Sequence, residues 1–379
     1  MLKIIRNVKV YRDNEWKKTD ILLSDNKIEK IAESIDMKYD WIEEYEFNSE
    51  YAVPGYIDQH VHITGGGGEG SFITQVPPMR LTAPVKAGVT TLVGLLGTDG
   101  TSRSVANLVA KTKAFNEFGL TAFCLTGNYN YPSPTLTGSV IDDITFVNEI
   151  IGVKLAISDH RSPNISDEGL IKLASDVRVA GLLGGKAGIV HLHTGGGKRQ
   201  LDQIFDILEK TDIPISVFRP THLGGKYDAA LKFANMGGYA DITTSGSTKS
   251  AGIVYRAIQE FPEGKLTIST DSNGSMPIWN EKKEMIGIGA GKIEALPKAI
   301  ASLVKDYNCP LEEAVKPATI NVAKALNQFP RKGIIQEGSD GDIVILDENY
   351  MPKTVIANGK LMMFDNKIMV RENFSDMYE

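Results

Sequence analysis

The hydrophobic residues in the central part of the chain form short apolar runs rich in β-branched residues, and longer stretches of helical spacing separate these runs. Eight runs occur, at 56–63, 90–96, 121–126, 150–156, 188–193, 215–219, 240–244 and 266–270. Buried strands that alternate with helices indicate a parallel sheet. Because eight strands close a barrel, we predict an α/β fold built on a (β/α)8 TIM-type barrel. An open, doubly wound sheet is the competing interpretation, and it requires a break in strand order that the pattern does not show.

The spacing of apolar residues between and after these runs predicts the helices. They are expected at 102–118, from 166 onwards, and at 199–210, 226–235, 251–260, 293–306 and 311–326. The clearest start is at Ser166, because serine is a good N-cap residue and Asp167 and Glu168 follow it in the first turn.

Both ends of the chain are rich in strand patterns instead. Asp25-Asn26 and Asn358-Gly359 are turn signals between short strand candidates. We therefore predict one small β-sandwich domain formed by 1–52 together with 331–379, with the catalytic barrel, 53–330, inserted between them.

Composition narrows the class of protein. The chain has 379 residues, 42% of them hydrophobic, and a formal net charge of −6, which argues against non-specific binding of nucleic acid. No apolar run is long enough to span a membrane, and the N-terminus lacks the apolar segment of a secretory signal. Two cysteines, Cys124 and Cys309, supply neither a disulfide framework nor a thiolate zinc site. We expect a cytoplasmic protein without nucleic-acid or membrane partners.

Residues that bind metals cluster where the predicted strands end. Asp58, His60 and His62 share one face of the first strand, because side chains alternate along a strand. Later strands end at metal-binding or charged residues as well: Lys154, His193, His222 and Asp271. Since the carboxyl ends of barrel strands meet at one rim, these residues predict a metal site there. The simpler alternative is a first strand that carries two core histidines.

Lys154 needs a special explanation in a metal site, because an ammonium group has no lone pair. A lysine binds metal when it is neutral, or when carbon dioxide converts its amine to a carbamate, which is an anionic ligand able to bridge two ions. An unmodified lysine in a buried pair is the alternative.

The order of these motifs resembles the amidohydrolase superfamily. The resemblance rests on Pro-Gly-x-Ile-Asp-x-His-x-His at 54–62, a lysine after strand four, histidines after strands five and six, and an aspartate after strand eight. Within that superfamily, the stretches 58–62, 65–69, 152–161, 181–186 and 271–275 resemble the isoaspartyl dipeptidases, or β-aspartyl peptidases. The resemblance covers essentially the whole chain. It implies a dinuclear zinc metallo-dipeptidase that hydrolyses the β-aspartyl isopeptide bond of isoaspartyl dipeptides, and a homo-oligomer.

The resemblance also implies a role for each matched residue. One Zn(II) ion would be held by His60, His62 and Asp271, and a second by His193 and His222. A carboxylated Lys154 and a hydroxide would bridge the two ions, and Asp271 would shuttle the proton. The expected substrate-binding residues are Glu69 for the free α-amino group, Arg161 for a carboxylate, Tyr129 for the scissile carbonyl, and Thr98, Gly67 and Ser275 for the aspartyl part.

One position departs from the family pattern. The family usually has an arginine three residues after the strand-six histidine, where this chain has Gly225 followed by Lys226. Lys226 would take over the leaving residue's carboxylate, although an ammonium group lacks the bidentate geometry of a guanidinium group. Tyr131 lies in the same loop as Tyr129 and is an alternative for its role. The alternative functions are another amidohydrolase reaction, of the dihydroorotase or N-acyl-amino-acid hydrolase kind, and a non-catalytic barrel scaffold.

Overall fold

The computed structural model describes residues 2–280 and 285–373, and it begins with a β-rich segment. The strands of this segment are β1 (Leu2–Arg12), β2 (Glu15–Ser24), β3 (Lys27–Ala32), β4 (Glu43–Glu46) and β5 (Tyr51–Pro54). The pairing of β1 with β2 shifts register between Ile5 and Val8. Asn7 absorbs this irregularity in a left-handed conformation with φ of 60°.

The next eight strands form the barrel. They are β6 (Tyr56–Val61), β7 (Val89–Gly94), β8 (Thr121–Gly127), β9 (Ile150–Ile157), β10 (Ile189–Thr194), β11 (Phe218–Thr221), β12 (Ala240–Thr243) and β13 (Leu266–Ser269). Strands β6 to β11 form one parallel ladder, and β12 pairs with β13. The sheet curls back on itself, because the amide of His62 donates to the carbonyl of Ser272, just beyond β13, at 2.8 Å. The predicted closed barrel is confirmed over the open sheet.

Helices cover the outside of the barrel. They are α1 (Thr82–Lys86), α2 (Val105–Phe118), α3 (Val140–Phe146), α4 (Asp167–Gly184), α5 (Asp202–Lys210), α6 (Tyr227–Asn235), α7 (Thr248–Glu260), α8 (Ala295–Tyr307), α9 (Leu311–Val315) and α10 (Ile320–Ala325). Ser166 caps α4 as predicted, accepting a hydrogen bond from the amide of Gly169. The predicted single helix at 311–326 is wrong. It is divided into α9, a 3-10 turn at Lys316–Ala318 and α10, because Pro317 has no amide hydrogen to donate within a helix.

A hairpin that the sequence pattern did not predict follows the barrel's last strand. It consists of β14 (Ser275–Trp279) and β15 (Met285–Ala290). Its first residue, Ser275, lines the cavity at the barrel mouth. The hairpin therefore forms one wall of the site described below.

The C-terminal strands return to the β-rich segment. They are β16 (Ile343–Leu346), β17 (Pro352–Ala357), β18 (Lys360–Phe364) and β19 (Lys367–Ile368). β16 pairs with β5, so both chain ends share one nine-stranded sheet with its own apolar cluster. Strand β5 extends this sheet to Pro54, two residues beyond the predicted boundary at 52. Among the residues described, no helix has the length and apolar character needed to cross a membrane.

Candidate active site

The predicted metal ligands converge at the carboxyl end of the barrel. His60 lies in β6, Lys154 in β9 and His193 in β10. His222 directly follows β11, and Asp271 lies two residues beyond β13. His193, His222 and Asp271 line the floor of a cavity of about 380 Å³. The lining includes His62, Gly67, Glu69, Thr98, Tyr129, Arg161, His193, His222, Asp271 and Ser275.

The distances among the first group of ligands suit a metal ion. Nε2 of His60 lies 3.2 Å and Nε2 of His62 lies 3.1 Å from the same oxygen, Oδ1 of Asp271. Nζ of Lys154 lies 3.3 Å from Nε2 of His60. Ligand atoms of His60, His222 and Asp271 also lie within 4.8 Å of one another. Imidazole nitrogens and a carboxylate oxygen at this spacing form a donor set that Zn(II) prefers.

His222 offers a second indication that the cluster is built for a cation. Its Nδ1 atom lies 2.7 Å from the hydroxyl of Thr243. Its Nε2 atom is buried and has no hydrogen-bond partner among the described residues. His222 and Asp271 both have left-handed backbone conformations, with φ of 63° and 53°. A buried nitrogen without a partner is costly, and a metal ion at this place would satisfy it.

Charged residues of opposite sign form the wall above the cluster. Nη1 of Arg161 donates to Oε1 of Glu69 at 2.5 Å. Glu69 also accepts hydrogen bonds from the hydroxyls of Thr98, at 3.0 Å, and Ser275. Gly67 has φ of 83°, and a Cβ atom there would lie 2.5 Å from the carbonyl oxygen of Thr74, so only glycine fits this turn.

Comparison with known proteins identifies the family. Residues 51–362 match the amidohydrolase family. The chain belongs to the amidohydrolase family. It is therefore an enzyme. The cluster described above lies at the carboxyl ends of the barrel strands, where TIM-barrel enzymes carry their active sites.

Solved structures resemble this amidohydrolase over nearly its full length. A beta-aspartyl dipeptidase from Fervidobacterium islandicum AW-1, in complex with beta-Asp-Leu dipeptide, is 37% identical. The match has a TM-score of 0.91 and covers 99% of this chain and 100% of that chain. A D-hydantoinase is 20% identical with a TM-score of 0.70, covering 98% of this chain and 97% of that chain, and it supports the fold alone.

Curated relatives match shorter parts of the sequence. A dihydroorotase from Fusobacterium nucleatum is 39% identical over 59 residues, which are 16% of this chain and 13% of that protein. An adenine deaminase from Clostridium perfringens is 23% identical over 98% of this chain, which spans 60% of that protein's length. Both matches are similarities to this amidohydrolase, and neither covers two thirds of the relative.

Burial sets the protonation states in the cluster. Desolvation lowers the pKa of His60 to about 3 and that of His193 to about 4, so both imidazoles are neutral near pH 7. Desolvation also lowers the pKa of Lys154 to about 7. Burial alone would raise the pKa of Asp271, but His60, His62 and His222 outweigh it and hold the pKa well below its usual range. Neutral imidazoles and an ionised carboxylate are the forms that bind metal.

Several neighbouring residues support the cluster from behind. Nδ1 of His60 lies 2.9 Å from Nε2 of His191. Asp58 is buried and accepts a hydrogen bond from the hydroxyl of Thr270 at 2.5 Å. His160 is exposed instead, and its Nδ1 atom lies 3.4 Å from Asp159.

The positions of Tyr129, Tyr131 and Lys226 bear on the roles predicted for them in substrate binding. Tyr129 is buried with its hydroxyl 2.6 Å from Nδ1 of His193, whereas Tyr131 is 37% exposed. Lys226 donates to the carbonyl oxygens of Thr194, at 2.9 Å, and His222, at 3.2 Å. Lys226 is not one of the described residues that line the cavity. Its predicted contact with a substrate carboxylate stays a prediction and requires the side chain to leave these carbonyls.

Sequence reasoning assigned no role to two residues that the structure places at the site. Thr243 contacts the ligand His222, and Asp159 contacts the ligand His193, with Oδ2 of Asp159 3.0 Å from Nε2 of His193. Thr243 lies next to the end of the strand predicted at 240–244, so its position was a usable signal. Asp159 lies in the stretch that carried the family resemblance, but its partner is 34 residues away in the chain.

Proposed function

We propose that this amidohydrolase cleaves the β-aspartyl bond of isoaspartyl dipeptides. The observation that carries the proposal is the pair Glu69 and Arg161, which brings one carboxylate and one guanidinium group together above the ligand cluster. A small zwitterionic peptide has an ammonium and carboxylates that match these two groups. The similarity to a beta-aspartyl dipeptidase that binds beta-Asp-Leu supports the same substrate class.

The donor set fits two zinc ions. His60, His62 and Asp271 would hold one ion, His193 and His222 the second, and a carboxylated Lys154 would bridge them. Carboxylation requires a neutral amine, and the lowered pKa of buried Lys154 provides a neutral fraction near pH 7. Two bound zinc ions would lower the pKa of a shared water, supply the nucleophile and polarise the scissile carbonyl.

The chain's own residues would then bind the substrate and move the proton. Glu69 would accept from the substrate's ammonium group, with Thr98 and Ser275 holding its carboxylate in place. Arg161 would exchange its contact with Glu69 for a substrate carboxylate, and the backbone of Gly67 would contact the aspartyl part. The ion pair that these two side chains form without substrate keeps both charges partnered inside the cavity.

Two residues would act at the reacting bond. Asp271 is an ionised carboxylate beside the cluster, so it would accept a proton from the attacking water and deliver it to the leaving amine. Tyr129 would donate its hydroxyl to the oxyanion that develops on the carbonyl. Burial raises the pKa of Tyr129 well above its usual value, which keeps that proton in place for donation.

A panel of substrates tests this function. We expect the zinc-loaded protein to hydrolyse β-Asp-Leu and to show much lower kcat/KM for α-Asp-Leu, dihydroorotate and N-acetyl-leucine. Dihydroorotate and N-acetyl-leucine have no ammonium group for Glu69. A preference for any of these three compounds would overturn the substrate assignment and would favour another amidohydrolase reaction.

A further inference from the structure

Asp159 is a buried carboxylate that contacts two different parts of the site. Its side chain is 5% exposed. Oδ2 lies 3.0 Å from Nε2 of His193, one of the expected metal ligands. Arg161 donates to the same carboxylate three times, from its backbone amide at 2.8 Å and from Nε and Nη2 at 3.0 Å each. One side chain thus links a metal ligand to the guanidinium group expected to bind substrate.

We propose that Asp159 is a positioning residue that fixes the tautomer of His193 and the orientation of Arg161 together, so that metal binding and substrate binding depend on the same carboxylate. This inference rests on the proposed function for the meaning of Arg161, and its metal-binding half stands independently of the substrate.

The tautomer argument follows from the chemistry of the contact. An ionised carboxylate only accepts hydrogen bonds, so the proton of the neutral His193 ring lies on Nε2. The lone pair is therefore on Nδ1, the atom that faces the hydroxyl of Tyr129 at 2.6 Å within the cavity. Ligand histidines commonly use their second nitrogen in this way, and loss of the partner typically weakens metal affinity about 10- to 100-fold.

The orientation argument concerns Arg161. Nε and Nη2 contact Asp159 and fix the guanidinium plane, which leaves Nη1 pointing toward Glu69. Nη1 is consequently the part of the group that can turn to a substrate carboxylate. Without Asp159, the long side chain would lose this fixed direction, and ordering it would cost binding free energy.

A glycine gives independent evidence that the site is shaped around Asp159. A Cβ atom at Gly195, two residues after His193, would lie 2.3 Å from both Cβ and Oδ2 of Asp159. At the next residue, Gly196, a Cβ atom would have no heavy atom within 4 Å among the described residues. The loop after β10 therefore admits Asp159 only because residue 195 has no side chain. Gly195→Ala and Gly196→Ala form a matched pair that displaces the carboxylate or leaves it in place.

Asp159→Asn is a sharp substitution for the same purpose. The amide offers one acceptor and one donor group in place of two acceptors. If its nitrogen faces His193, the ring must accept there and place its proton on Nδ1, where the metal would bind. If the amide nitrogen of the new side chain faces Arg161 instead, two hydrogen-bond donors point at each other and the contact with the guanidinium group is lost. Either arrangement therefore removes at least one of the hydrogen bonds that join Asp159 to His193 and Arg161.

The test measures zinc per chain after dialysis against a weak chelator, the visible spectrum of the cobalt-loaded protein, and KM and kcat for β-Asp-Leu. We expect Gly195→Ala to lose one of two metals at chelator concentrations about 10-fold or more below those needed for the native chain, and Asp159→Asn to do the same when its amide nitrogen faces His193. The cobalt spectrum should change where a metal is weakened. The KM of both variants should rise, because either orientation of the amide places a donor against Arg161. Gly196→Ala and Asp176→Asn, a change at a partly exposed position of α4, should match the native chain.

Two further variants keep the result interpretable. Arg161→Met should raise KM while both metals remain, because Asp159 still holds His193. If Asp159→Asn does not fold, Gly195→Ala carries the test with the native carboxylate present. Native metal retention, an unchanged cobalt spectrum and a native KM together in Asp159→Asn, or in Gly195→Ala if the former is unfolded, would overturn the inference. A native chain that retains two metals but does not cleave β-Asp-Leu would refute the proposed function and leave the metal half of this test intact.

Discussion

The contact between Glu69 and the substrate's ammonium group gives the most detailed prediction. Glu69 is ionised in the structure. Burial alone would raise its pKa, but hydrogen bonds from Ser275, Arg161 and Thr98 outweigh this effect and lower it. Glu69→Gln removes the charge and keeps the size of the side chain. The substitution therefore tests charge recognition rather than packing.

The expected magnitude follows from the type of contact. A hydrogen bond to a charged group makes a net contribution of about 1.5–3 kcal/mol. Glu69 is partly exposed, with a side-chain exposure of 25%, so solvent screening favours the lower part of that range. A loss of about 1.5–2 kcal/mol corresponds to a decrease in kcat/KM of about 10- to 30-fold.

A thermodynamic cycle isolates the interaction. The second substrate is N-succinyl-leucine, which is β-Asp-Leu without its α-amino group. We expect Glu69→Gln to lower kcat/KM for β-Asp-Leu by the factor given above and to leave that for N-succinyl-leucine nearly unchanged. Glu209→Gln, on the exposed face of α5, is the matched control. Equal losses on both substrates would refute an interaction between Glu69 and the ammonium group.

Three other predictions follow from the same structure. Lys154→Ala should lose metal and activity and recover part of both with added short carboxylic acids; a variant with two metals and native turnover would exclude the carbamate bridge. Tyr129→Phe should lower kcat by about 10²-fold or more, whereas Tyr131→Phe, which changes an exposed ring, should not; equal effects would contradict the oxyanion role. Burial acts to raise the pKa of Asp340, but the positive charge of Lys332 outweighs this effect, and the pKa is lowered. Asp340 therefore stabilises the fold fully at pH values above the pKa of the unfolded chain, about 3.9. This stabilisation is lost as the pH falls through the pKa of the folded chain. Urea unfolding of metal-free protein at a series of pH values should show a shallower acid loss for Asp340→Asn than for the native chain, and identical pH profiles would contradict this assignment.

The barrel and the convergence of the candidate metal ligands were predictable because they depend on local patterns. Apolar runs mark the strands, and chemistry at the carboxyl ends of barrel strands meets at one rim whatever the details of packing. His60, His193, His222 and Asp271 all occupy such ends. The same reasoning applied to Lys154, which is fully buried in β9 and for which an uncharged or carboxylated amine stays a prediction.

The parts that sequence reasoning missed depend on side-chain direction or on local breaks in pattern. The long side chain of Lys226 reaches two backbone carbonyls, and nothing in its sequence neighbourhood specifies that direction. Asp159 gains its partner His193 only through the pairing of β9 with β10. Pro317, in contrast, was a visible signal that the helix predicted at 311–326 would be interrupted.

The most direct test of the account is a competition between isomers. Zinc-loaded protein would be given an equimolar mixture of β-Asp-Leu and α-Asp-Leu, and the disappearance of each would be followed by chromatography, since the ratio of rates equals the ratio of kcat/KM values. The account predicts that β-Asp-Leu is consumed first and releases aspartate and leucine, and that a chelator stops the reaction until zinc is restored. Consumption of α-Asp-Leu at an equal or greater rate, or full activity in metal-free protein, would contradict it.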